Sequence, residues 1–69
     1  MNNNLIENRQ FKADDVLKAT SLIYLKEALL TQRYEDCAGL IREARNFGAR
    51  QNEISAIIAE SIRELKRRL

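Results

Sequence analysis

The fold is decided by residues 22–48, LIYLKEALLTQRYEDCAGLIREARNFG. Apolar side chains at helical spacing run from Leu22 to Leu30, yield to the polar Thr31-Gln32-Arg33, and resume in a new phase at Tyr34. A helix repeats its faces every three or four residues, so a change of phase across a polar break predicts two amphipathic helices folded back on each other. The turn is predicted over Gln32 to Tyr34.

Working outward from that turn, the second helix is predicted to begin near Tyr34. Glu35 and Asp36 stand in its first turn, where the positive end of the helix dipole favours carboxylates. Cys37, Leu40, Ile41, Ala44 and Phe47 then recur at spacings of three and four, and Gly48 can supply a left-handed C-terminal cap. Ala49-Arg50-Gln51 forms a short connection with Asn52 as the next N-cap. From Glu53 to Leu69 the apolar residues Ile54, Ile57, Ile58, Ile62, Leu65 and Leu69 make one stripe.

In the other direction, the first helix is predicted from about Asp15 to Thr31, with Asp14 and Asp15 as its start signal. Its apolar residues (Val16, Leu17, Leu22, Ile23, Tyr24, Leu25, Leu29 and Leu30) occupy more than one face. A helix packed against one neighbour needs a stripe only about 100° wide. This helix is therefore read as the central element, contacted from at least two sides. Residues 1–13 are a polar, Asn-rich arm with Leu5, Ile6 and Phe11 as isolated apolar points. Ordering such a segment costs about 1–2 kcal/mol per residue, which predicts a frayed arm; the alternative docks those three side chains on the helices as a clasp. The reading is an arm over 1–13 and a single all-α domain over 14–69, three helices in up-down-up order around a central hairpin.

Composition agrees. The chain has no proline, two glycines and many good helix formers. At 69 residues a domain buries only about 60% of its unfolded surface and needs a staple. With one cysteine and no histidine, neither an internal disulfide nor a zinc site can supply it. Self-association or a partner chain is the remaining staple. Met1-Asn2-Asn3-Asn4 lacks the basic start and apolar core of a secretory leader. The run from Leu22 to Leu30 is interrupted by Lys26 and Glu27 and is too short to span a bilayer. A lone Cys in a chain without a leader fits the reducing cytoplasm.

Catalysis has little to stand on. There is no His, no Gly-rich phosphate loop, and no Ser or Cys beside a credible base. Cys37 lies on the apolar stripe next to Glu35 and Asp36, whose charge disfavours a thiolate. The expectation is a protein that is not an enzyme, with no catalytic residue, metal, cofactor or small-molecule substrate.

Residues 22–44 resemble two hairpin families. The aromatic-acid pair Tyr34-Glu35 followed by the small pair Cys37-Ala38 is similar to the UVR motif, although Arg42-Glu43 sits one residue later than that motif places its basic-acidic pair. Tyr34, Cys37, Ile41 and Ala44 also fall where a tetratricopeptide unit keeps its aromatic, small, bulky and small residues. Leu25 stands where that repeat usually has glycine, and no second copy exists in the chain. Both resemblances imply a helical hairpin used for protein contact.

The partner-binding residues expected from the surplus apolar surface are Leu22, Leu25 and Leu29 on the central helix and Ile58, Ile62, Leu65 and Leu69 on the last. They would offer an apolar face to a protein partner, as a homo-oligomer or in a hetero-complex, in an adaptor, small chaperone or regulator. The alternative is a nucleic-acid-binding regulator using Arg63, Lys66, Arg67 and Arg68, which concentrate a net charge of only +2 at the C-terminal end. Residues 48–65 look like the second half of a DNA-binding helix-turn-helix, except that Ala59-Glu60-Ser61 replaces the glycine-containing turn. Cations also belong at a helix C-terminus, where Glu60 and Glu64 can pair with Arg63 and Arg68 across one turn. A membrane-surface role is not expected, because Glu53, Glu60 and Glu64 oppose anionic lipid and no Trp or Phe anchors the stripe.

Overall fold

A computed structural model describes residues 13–69. It contains α1 (Ala13–Leu30), α2 (Tyr34–Asn46) and α3 (Gln51–Arg67), with no strand among the described residues. Lys18 on α1 pairs with Glu53 near the start of α3 at 3.2 Å, and Lys26 pairs with Glu60 further along it, also at 3.2 Å. The two helices therefore run in the same direction, α2 runs back between them in sequence, and the up-down-up order holds. The arm expected over residues 1–13, with its clasp of Leu5, Ile6 and Phe11, lies outside the described residues except for Ala13, which opens α1.

The two hairpin turns use one device. At the end of α1, the Arg33 N–H donates to the Ala28 carbonyl (2.8 Å) and the Gln32 N–H to the Leu29 carbonyl (3.1 Å). At the end of α2, the Ala49 N–H donates to the Ala44 carbonyl (2.9 Å) and the Gly48 N–H to the Arg45 carbonyl (3.0 Å). These paired bonds, one spanning six residues and one nested inside it, define Schellman caps and satisfy carbonyls that the helix end leaves free. Each cap needs one residue in the left-handed region. Gly48 fills that position in the second (φ 100°), as the sequence predicted, whereas Gln32 fills it in the first (φ 61°). Nothing in Thr31-Gln32-Arg33 announces such a cap, because the residue that normally marks it is absent.

The start of α3 differs from expectation. Helix geometry begins at Gln51, so Arg50 rather than Asn52 is the N-cap residue and Asn52 lies within the first turn. Arginine has only donors and cannot cap with its side chain. Instead the Glu53 carboxylate reaches back and accepts the Arg50 backbone N–H at 2.8 Å, which is half of a capping box.

The interior is small. Its fully or nearly fully buried apolar residues are Leu25, Ala28, Ala44, Ala49 and Ile54, joined by Ser21 and Ser61. The Ser61 hydroxyl donates to the Ile57 carbonyl at 2.8 Å, so it is buried with a partner. Leu22, Leu29, Leu40, Ile41, Ile57 and Ile58 pack around this centre half-buried. Small residues let helix backbones approach closely, and here they occupy most of the contact line. α1 packs against both α2 and α3, whereas α2 and α3 make little contact with each other. The sequence reading of α1 as the central helix is correct.

Candidate interaction surface

At 3.6 residues per turn, Ser21, Leu25 and Ala28 form the inward line of α1, all buried. Leu22 and Leu29 lie on the flank of that line, half-buried against the core. Away from that line α1 exposes two apolar strips about 100° apart, Val16 with Ile23 and Leu17 with Tyr24, Ile23 being 63% and Tyr24 56% exposed. Each strip borders a shallow depression of its own. On one side Tyr24 looks onto Arg33, Asp36, Leu40 and Glu43 of the α2 edge. On the other, Ile23 and Leu30 share a hollow with Lys26, Glu27, Thr31 and Arg68.

The expected partner residues of α1 need a correction. Leu25 is fully buried beneath this chain's own helices and has no surface to offer. Leu22 and Leu29 spend much of their area on the core. The exposed apolar face of α1 belongs to Val16, Leu17, Ile23 and Tyr24. The available signal was the spacing of seven shared by Val16, Ile23 and Leu30 and by Leu17, Tyr24 and Thr31, which puts each set on one line of a helix.

On α3, Ile58 is half-buried against the core and Leu65 is half-buried, while Ile62 (47% exposed) and the terminal Leu69 are open. These four run along one flank of the helix, since they recur at spacings of three and four. Tyr34 is also exposed, at the start of α2.

The basic end of α3 is partly engaged by its own acids. Glu64 lies 3.4 Å from Arg68 and 3.9 Å from both Arg67 and Lys26 of α1. Lys26 thereby bridges Glu60 and Glu64, one turn apart on α3, and ties the C-terminal half of that helix to α1. Arg63 and Lys66 are exposed on its outer side. The Arg63–Glu60 pairing considered from sequence is replaced by Glu60 with Lys26.

Cys37 is half-buried, and its thiol donates to the Arg33 carbonyl at 3.7 Å. Burial pushes its pKa up, the Asp36 and Glu35 charges push it further, and Arg33 opposes them. Among the described residues no group of three or more acidic, Cys or His side chains is placed to hold a metal ion. No described helix is long and apolar enough to cross a membrane.

Compared with models of protein families, with curated proteins and with solved structures, the chain matches none. The UVR-like and tetratricopeptide-like features therefore rest on the quoted residues alone.

Proposed function

We propose that this chain is a small helical protein–protein interaction module, acting as an adaptor, small chaperone or regulator through apolar helix faces. One observation carries the reading. The domain seals its interior largely with alanine and serine while leaving Val16, Leu17, Ile23, Tyr24, Tyr34 and Ile62 substantially exposed. Scattered single hydrophobes are ordinary, but apolar residues contiguous on one helix face mark a binding surface. Two faces qualify: the outward side of α1, and the α3 flank of Ile58, Ile62, Leu65 and Leu69. The proposal includes cytoplasmic location, from the lone cysteine, and no catalysis, from the lack of His and of a credible base beside Ser or Cys.

The second reading, nucleic-acid binding through Arg63, Lys66, Arg67 and Arg68, is favoured by the exposure of all four side chains. It is weakened by the contacts of Glu64 with two of them. One experiment separates the two. Ile62→Asp, which places a carboxylate in the apolar flank, is compared with the triple variant Arg63→Glu, Arg67→Glu, Arg68→Glu. Partner capture from the native host and binding to labelled duplex DNA and single-stranded RNA are measured, with circular dichroism to confirm that each variant is helical. Loss of captured partner in the Ile62 variant alone supports the module. Nucleic-acid binding that falls steeply with salt, and disappears in the triple variant, supports the regulator.

A further inference from the structure

We draw no further inference here: the strongest candidate, the exposed apolar strips of α1 (Val16 with Ile23, and Leu17 with Tyr24) and the shallow hollows beside them, carries nothing, because nothing in the structure shows what covers them.

Discussion

Replacing Leu25 by alanine should remove a large part of the stability of this domain. Among the described residues Leu25 and Ile54 are the two large apolar side chains that are almost completely buried, and they share a cluster with Ala44 and Ala49. The substitution deletes three carbon atoms, which at about 0.8 kcal/mol per methylene-sized group loses about 2.4 kcal/mol of burial. The methyl side chains of Ala44 and Ala49 have no torsion by which to move into the void. A residual cavity on the order of 50 Å³, at about 24 cal/mol per Å³, costs about another 1.2 kcal/mol. The sum, about 3.5 kcal/mol, compares with a total of roughly 3–8 kcal/mol for a domain of this length. Urea denaturation followed by far-ultraviolet circular dichroism reads the loss directly. With a slope of about 1 kcal/mol per molar, the midpoint should fall by about 3.5 M. Leu22→Ala, at a half-buried position, should cost about half as much, and Ile23→Ala at high dilution should cost under about 0.5 kcal/mol. A loss under about 1 kcal/mol for Leu25→Ala would refute the reasoning. An equal loss for Ile23→Ala in dilute solution would refute it too, because the inward line of α1 would then be wrongly placed.

Other consequences are sharper in sign than in size. The two Schellman caps respond oppositely: Gln32→Gly should raise stability by about 0.5–1 kcal/mol by relieving a left-handed non-glycine residue, whereas Gly48→Ala should lower it by about 1–2 kcal/mol, both read by thermal denaturation. The Glu53 carboxyl is held below the ordinary glutamate value of 4.5, first by the Arg50 backbone N–H and then by Lys18. Its stabilisation is complete above that value and is lost as the pH falls through the lower folded-state pKa. Glu53→Gln, which keeps an acceptor at the cap without a titrating group, should therefore show a flatter melting temperature than the parent on the acid side of 4.5; an identical acid dependence would contradict the assignment. Cys37, with its thiol pushed up by burial and by Asp36 and Glu35, should react with iodoacetamide at neutral pH more slowly than free glutathione, and faster labelling would show the opposite environment.

Much of the architecture was legible because its signals are redundant. The polar Thr31-Gln32-Arg33 break, the phase change at Tyr34 and Gly48 as a cap each point to the same hairpin, and the wide apolar circumference of α1 correctly marks it as the shared neighbour. The inward face of α1 was not legible, for a physical reason. Counting large hydrophobes leaves Leu22, Leu25 and Leu29 as surplus surface for a partner, but they face the core, along a contact line drawn also by Ser21, Ala28, Ala44 and Ser61, whose small side chains carry little hydrophobic signal. Once those residues are placed inside, the remaining large ones are displaced outward, and Ile23 and Tyr24 become surface. The cap at Arg50 was missed similarly. Asn52 is the better capping side chain, yet the carboxylate of Glu53 satisfies the Arg50 N–H from within the helix, so no capping side chain was needed at that position.

α2 and α3 each pack on α1 while scarcely touching one another, and this makes the domain separable under substitution. Changes on the outer surfaces of α2 and α3 share no neighbours, so their effects on stability should simply add, whereas core positions such as Ala44 and Ile54, which meet in one cluster, should couple. A change in α1, by contrast, enters both interfaces and should be non-additive with partners on either side. The sequence of this protein can therefore drift independently along the outer faces of two helices, with α1 and the cluster it shares with them as the part that constrains both.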